Sequence, residues 1–325
     1  MGHIIPLCCI RGSRYLGAHM AKGNVIGIDI GGTKIAAGIV TEQGKLLREV
    51  KAQTHLHDGW PGLRKQLVEI CRDLKDKKTK AIGIGSAGPL HAPSGKLLDP
   101  TNFGWHQAKA IPLTTDLQKI LRLPVTLEND AAATALAERW KGSGGNDFVV
   151  LTLGTGLGIG VICDGQLVRG GRQLHPEGGH ILLRSGDPTA PCGCGLFGCA
   201  EAFLSGKKFD ERAEKKHGEK LKGTEWANRA DSGDKAAKAL FAEYSELLAD
   251  YLVNIVVLYY PKKVIFAGSF AATHSQFLPA TRERLASLLS RRLKTIPLLP
   301  ELRASRLGTK SPILGGAYIA LNSKT

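Results

Sequence analysis

The chain is 325 residues long, 43% hydrophobic and 22% charged, with a formal net charge of +15. That length and balance supply core enough for two lobes and exclude a disordered or fibrous polypeptide. The seven cysteines are too sparse for a disulfide scaffold at this size, so a reducing, cytoplasmic setting is expected.

The positive charge does not by itself call for nucleic acid. Its clusters at Lys75–Lys80 and Lys207–Lys222 are interrupted by acidic residues, and these, like Arg291, Arg292 and Lys294, read as solvated helix faces. No apolar run approaches the roughly 20 residues that cross a bilayer, and the opening MGHIIPLCCIRG has no charged leader of a secretory signal. Neither nucleic acid nor a membrane is expected as a partner. Gly17-Ala-His-Met resembles a cloning scar and Met20-Ala-Lys offers a second start, so residues 1–22 are set apart as an extension or tag.

Val25–Ile30 and Ile35–Val40 predict two strands around the turn Gly31-Gly32-Thr33-Lys34, a hairpin rather than a strand-to-helix step. Residues 61–75 have helical spacing. Ala81–Gly85 and Val125–Leu127 read as buried strands, each after a helix-like segment, and Asp130–Trp140 as an alanine-rich helix. The pattern then restarts. Phe148–Leu153, a turn at Gly154-Thr155-Gly156 and Ile159–Cys163 repeat the strand, glycine turn and strand. Ala237, Leu240, Phe241, Tyr244, Leu247, Leu248, Tyr251 and Leu252 mark a long amphipathic helix that Pro261 ends. Val264–Ala267 is a buried strand turning at Gly268-Ser269, and Gly315-Gly316-Ala317 is expected to open a final short helix. Two halves headed by like hairpins predict a duplicated α/β fold with an interlobe cleft, of the actin-like ATPase (ribonuclease H-like) class. The small lobe is expected over residues 23–138 and 312–325, and the large lobe over 139–311.

Glycine-rich hairpin turns leave backbone N–H groups open to anionic oxygens. Asp29 adds a carboxylate for Mg2+ ahead of Gly31, Gly32, Thr33 and Lys34, and Gly154, Thr155, Gly156 and Gly158 form the second set. Either one alone is explained as a tight turn; two, one per lobe, point to a nucleotide polyphosphate. The G-x-G-x-G run from Gly154 is not a dinucleotide fingerprint, because β-like Ile159–Cys163 follows it where that motif needs a helix.

Glu128-Asn129-Asp130 lies between a strand and a helix. Asp130 is therefore either a helix N-cap or, in a kinase, the base that takes the acceptor hydroxyl proton. His180, Cys192, Cys194 and Cys199 make a complete tetrahedral set for structural zinc, the alternative being small buried cysteines. Glu177 lies three residues before His180 and shares its face on a helical turn, and Glu201 follows the last cysteine. Asn102, close to Trp105, adds an amide. Such a set of Asn, Asp, Glu and His suits a polyhydroxy substrate, which needs donors and acceptors alike.

With DIGGTK at Asp29, END at Glu128, LGTGLGIG at Leu151, E-x-G-H at Glu177 and C-x-C-G-x-x-G-C-x-E at Cys192, the chain resembles the ROK family of bacterial sugar kinases, in its zinc-containing branch, from about Val25 to Ala320. The resemblance implies ATP-dependent phosphorylation of a hexose on its C6 hydroxyl, with Asp130 as general base. It places Asn102, Asn129, Asp130, Glu177, His180 and Glu201 around the sugar and structural Zn2+ on His180, Cys192, Cys194 and Cys199. It further implies ATP phosphates against the two glycine turns, the adenosine near Gly268, and a homodimer or homotetramer. Two positions depart from the family pattern: the adenosine turn, Ala267-Gly268-Ser269-Phe270, has fewer glycines, and His175-Pro176 stands before E-x-G-H where small residues are usual. Asp99–Trp105 looks like the glucokinases, which makes glucose the first expectation. Glu201-Ala-Phe-Leu-Ser-Gly resembles the N-acetylglucosamine kinases, which makes an N-acetylglucosamine or N-acetylmannosamine kinase the second and a fructokinase the third. Family repressors carry a helix-turn-helix domain before DIGGTK. The 28 residues before Asp29 form no such pair of helices, so DNA binding is not expected.

Overall fold

The computed structural model describes residues 23–98, 100, 103–105 and 109–323. The expected extension, residues 1–22, and Asn102 lie outside them. The first half runs β1 (Asn24–Ile30), β2 (Lys34–Val40), β3 (Leu46–Gln53), α1 (Gly59–Leu74), β4 (Thr79–Ser86), the small hairpin β5 (Leu90–His91) and β6 (Lys96–Leu97), α2 (Leu113–Leu121), β7 (Val125–Asn129) and α3 (Asp130–Trp140). Its sheet has the order β3-β2-β1-β4-β7, with β1, β2 and β3 successively antiparallel and β4 and β7 parallel to β1.

The second half repeats this plan. β8 (Phe148–Leu153), β9 (Leu157–Cys163) and β10 (Gln166–Leu167) form the antiparallel ribbon. Four helices follow: α4 (Glu201–Leu204), α5 (Gly206–His217), α6 (Gly223–Asp231) and α7 (Lys235–Tyr259). The half ends with β11 (Lys263–Ala267), α8 (His274–Leu293), β12 (Glu301–Ala304) and α9 (Ser311–Leu321). The sheet order is β10-β9-β8-β11-β12, with β11 and β12 parallel to β8. The two expected hairpins therefore head two sheets of the same topology. Among the described residues, no helix is long and apolar enough to cross a membrane.

Backbone contacts made possible by small residues hold the middle of the molecule. α9 crosses β1 and β4, and α3 packs on β8 and β9. A Cβ on Gly27 would lie 2.0 Å from the Ile313 carbonyl oxygen, and one on Gly83 would lie 2.0 Å from that of Gly316. Gly316 and Gly315 would in turn meet Gly83 O and Ala133 O at 2.7 and 2.3 Å. These contacts correct one expectation. Gly315 and Gly316 do not open the last helix, which starts at Ser311 with Pro312 in its first turn; they sit inside it, where any side chain would push it off the sheet and off α3. α3 uses alanines to the same end: Ala131, Ala132, Ala133, Ala135 and Ala137 are all buried.

The long amphipathic helix begins earlier and ends later than its apolar stripe, over Lys235–Tyr259. Asp234 caps it through the Ala236 and Ala237 amides, and Tyr260 stops it in the left-handed region (φ 45°) just before Pro261. Each half has its own apolar core, one between the first sheet and α1 and α2, the other between the second sheet and α7 and α8.

Candidate active site and metal centre

The first glycine turn closes on a bond from the Gly31 amide to the Lys34 carbonyl (3.0 Å), and Thr54 braces it by donating its hydroxyl to Gly31 O (2.8 Å). Lys34, expected in the turn, is the first residue of β2, and its side chain is exposed, as is Thr33. Asp29 is the penultimate residue of β1. It pairs in register with Gly85 of β4, which pairs with Glu128 of β7. A Cβ on Gly85 would stand 3.7 Å from Asp29 Oδ1 and 3.6 Å from Asp130 Cα. Gly85 thus lies beside both residues, with Ala133 Cβ the tightest neighbour of its Cβ position at 3.2 Å. Burial, and then the charge of Asp130, push Asp29 up to about 8. Burial also raises Asp130, with Glu177 adding to the rise while the Ala131 amide and His175 oppose it.

Asn129, not Asp130, caps α3. Its backbone is extended (ψ 145°) and its side chain accepts the Ala132 amide at 3.0 Å. Asp130 is the first residue inside the helix, where its Oδ1 accepts from the Ala131 amide (2.8 Å) and from Asn129 Nδ2 (2.9 Å). No other described residue hydrogen-bonds its Oδ2. One oxygen is pinned and one remains available, the arrangement a general base needs.

The strand behind this pair is anchored from the other half. Glu128 is fully buried and accepts from the Asn129 amide (2.9 Å) and from Arg169, through Nη1 at 3.3 Å and through a shorter Nη2–Oε2 contact. Arg169 comes from the segment after β10. Nothing in its local sequence marks it; only the fold brings it to β7.

His175, noted in the sequence only as a departure from the family pattern, is buried, and its Nε2 lies 2.9 Å from Glu177 Oε1. Gly88 lines the ring, since a Cβ there would be 2.9 Å from His175 Cε1. Burial alone would raise Glu177, but the hydrogen bond and charge of His175, together with His180, carry it below the usual carboxylate value. The helical turn expected at Glu177 and His180 is a 3-10 turn, Gly178–His180, held to α7 by the Tyr251 hydroxyl on Gly178 O (3.2 Å).

His180, Cys192, Cys194 and Cys199 converge with all their ligand atoms within 4.8 Å of one another. Cys194 and Cys199 sulfurs are 3.7 Å apart, and Cys192 Sγ is 3.4 Å from His180 Nδ1. Sulfurs on a tetrahedral zinc at about 2.3 Å stand roughly 3.7–3.8 Å from each other, so the cluster fits such an ion in both donor type and spacing. Gly195 and Gly198 take the left-handed conformations that the tight chelate needs (φ 89° and 86°), and a Cβ on Gly198 would overlap Arg184 O at 1.6 Å.

Glu201 begins α4 right after the knuckle. Its Oε2 accepts the Leu157 amide at 2.9 Å, next to the second glycine turn, and its Oε1 lies 3.6 Å from Cys192 Sγ. In that turn the Gly154 amide bonds Gly156 O (3.1 Å), Thr155 is exposed, and Gly158 belongs to β9. Gly268 (φ 90°) fits beneath, its hypothetical Cβ 2.4 Å from Leu153 O, so the expected adenosine turn adjoins the second glycine turn.

Residues 25–323 match the ROK family. The chain belongs to the ROK family. It is 31% identical over 318 residues to a glucokinase of Thermotoga maritima, covering 92% of this chain and 98% of the relative. It is also 31% identical over 308 residues to an N-acetyl-D-glucosamine kinase of Escherichia coli O6:H1, covering 91% and 98%. Among solved structures, a ROK family glucokinase of Streptomyces griseus in complex with glucose and AMPPNP superposes with a TM-score of 0.78 at 29% identity, over 92% of this chain and 99% of that one. ROK sugar kinases share the actin-like two-domain fold, so the expected fold class holds. This ROK protein is a sugar kinase that uses ATP.

Proposed function

We propose that this ROK kinase transfers the γ-phosphate of ATP to the C6 hydroxyl of glucose, in the cytoplasm and as a homodimer or homotetramer. The observation that carries the reading is Asp130, with Oδ1 pinned by two donors, Oδ2 open, and an affinity for protons raised by burial. In the reaction Asp130 Oδ2 takes the proton of the hydroxyl while that oxygen forms its bond to the γ-phosphorus and the bond from phosphorus to the bridging β–γ oxygen breaks. Sugar 6-phosphate and ADP result, and the proton leaves Asp130 to solvent. Asn102, Asn129, Glu177, His180 and Glu201 are the remaining candidate sugar contacts. Amides of Gly31, Gly32, Thr33 and Lys34, and of Gly154, Thr155, Gly156 and Gly158, hold the phosphates, with Gly268 at the adenosine.

Mg2+, held near Asp29, supplies neutralising charge for the phosphates when bound. Zn2+ would be held by His180, Cys192, Cys194 and Cys199 and would supply rigidity to this knuckle, leaving the second His180 ring nitrogen to interact elsewhere.

A specific observation supports a second acceptor. A glucokinase and an N-acetyl-D-glucosamine kinase are each 31% identical to this chain over nearly their whole length. A coupled ADP-release assay with glucose, N-acetylglucosamine, N-acetylmannosamine, fructose and mannose separates the readings. The highest kcat/KM is expected on glucose. A higher value on N-acetylglucosamine selects the second reading, and no turnover on any of them overturns both.

A further inference from the structure

We propose that Glu201 is a positioning residue for the second phosphate turn, a strut that joins it to the cysteine–histidine knuckle. The proposal rests on the reading that Gly154–Gly158 holds the nucleotide phosphates, and it assigns Glu201 to the nucleotide side of the reaction rather than to the sugar alone.

Three contacts carry it. Glu201 Oε2 accepts the Leu157 amide at 2.9 Å, a charge-assisted bond of the stronger kind. The same oxygen is seated on the turn itself, since a Cβ on Gly156 would fall 2.5 Å from it. Six residues later, the Lys207 amide donates to Gly154 O at 3.2 Å, where Gly206 brings backbone close (its Cβ would be 3.3 Å from that oxygen). Segment 201–207 thus grips the turn at its first and last residues.

The other end of the strut is the knuckle. Glu201 is two residues after Cys199, which places its backbone directly on the chelate. The Ala200 amide between them donates to Ile181 O (2.8 Å), next to His180. An exposed glycine turn has wide conformational freedom of its own. Amides that stabilise transferring charge act best when they are aimed beforehand. The structure supplies that aim from outside the turn, through Glu201, so order in the knuckle is transmitted to the nucleotide. The Leu157 amide serves this purpose and is not one of the phosphate donors.

Steady-state kinetics and hydrogen exchange on the full chain test it. Glu201→Ala is expected to raise the KM and Kd for ATP about tenfold, the loss of one charge-assisted bond. Because Glu201 is also a candidate sugar contact, the nucleotide effect is read from the ATP Kd measured without sugar, and exchange at the Leu157 amide should rise. Glu201→Gln keeps an acceptor and should recover most of the ATP affinity. Gly156→Ala should weaken ATP by collision with Glu201 Oε2, and should add nothing in the Glu201→Ala background, where the collision is gone. Chelating the bound metal should speed Leu157 exchange in the wild type and leave Glu201→Ala unchanged. An unchanged ATP Kd in Glu201→Ala, or full additivity with Gly156→Ala, overturns the proposal. Thr155→Glu, which puts a negative charge on the exposed tip, serves as the control. If it leaves ATP affinity intact, the turn is not the phosphate site and the underlying reading fails. If it weakens ATP while Glu201→Ala does not, only the strut fails.

Discussion

Asp29 and Asp130 meet beside Gly85: a Cβ there would stand 3.7 Å from Asp29 Oδ1 and 3.6 Å from Asp130 Cα, and the charge of Asp130 acts on Asp29. Two carboxylates in a half-buried space cannot both ionise freely, and both are raised, Asp29 to about 8. The relationship separates two roles. Under the proposed function, Asp29 takes the cation and Asp130 the proton.

Asp29 makes the ligand-free protein pH-sensitive. Its folded value, about 8, is above its ordinary 3.8, so the folded state favours the protonated form. The stability this contributes is complete below about pH 4 and is lost as pH rises through about 8. Binding of Mg2+ with a nucleotide should reverse this preference and release close to one proton at pH 7, fading to none well above pH 8. Calorimetry in buffers of different ionisation heats measures the count; no proton release at pH 7 would exclude Asp29 as the cation's neighbour.

Asp130→Asn should lower kcat by about 10²- to 10⁴-fold with little change in sugar KM. The thermal midpoint should hold or rise, since a buried like charge beside Asp29 is removed. The acid limb of kcat/KM in the wild type should fall above the usual carboxylate range, because burial raises Asp130. Turnover near wild type in the Asn variant would remove Asp130 as the base.

Arg169→Ala removes a cation that pairs with fully buried Glu128. The expected cost is about 3–5 kcal/mol in chemical denaturation, with loss of activity through the Asn129–Asp130 segment that follows. The double variant Glu128→Gln/Arg169→Met should recover part of the stability. An Arg169→Ala protein as stable as the wild type would mean that the pair adds no net stability.

Elemental analysis should find about one zinc per chain, and close to none in Cys194→Ser, which loses one of four ligands. Chelation should lower the thermal midpoint of the wild type and leave that of Cys194→Ser unchanged. Equal zinc in both proteins would dismiss the site.

Gly83→Ala pushes a methyl to within 2.0 Å of Gly316 O and should destabilise by at least about 1–3 kcal/mol. Gly171→Ala, with nothing within 4 Å of its Cβ position, should stay within about 0.5 kcal/mol. Equal urea midpoints for the two would show that α9 does not rest on the sheet backbone.

The sequence alone determined the two glycine hairpins, the duplicated α/β plan and the His180–Cys192–Cys194–Cys199 cluster, because each is written in local signals: alternation or apolar runs bounded by glycine, and ligand types at chelating intervals. The strand β3, the polar helices α5 and α6, and α8, whose buried positions Phe277, Leu278, Leu285 and Leu289 are sparse, gave no comparable local signal. The end of α3 shows the limit most clearly. Asn129 and Asp130 are both good caps by composition, and only the extended backbone of Asn129, reaching the Ala132 amide, decided which one caps and which stays free. Tertiary structure alone brought Arg169 to Glu128, set Asp29 against Asp130 beside a glycine on a third strand, and put Glu201 on the Leu157 amide. These pairs are separated by 41, 101 and 44 positions. No periodicity reaches so far; contacts at that range exist only once the two sheets and the helices between them have packed.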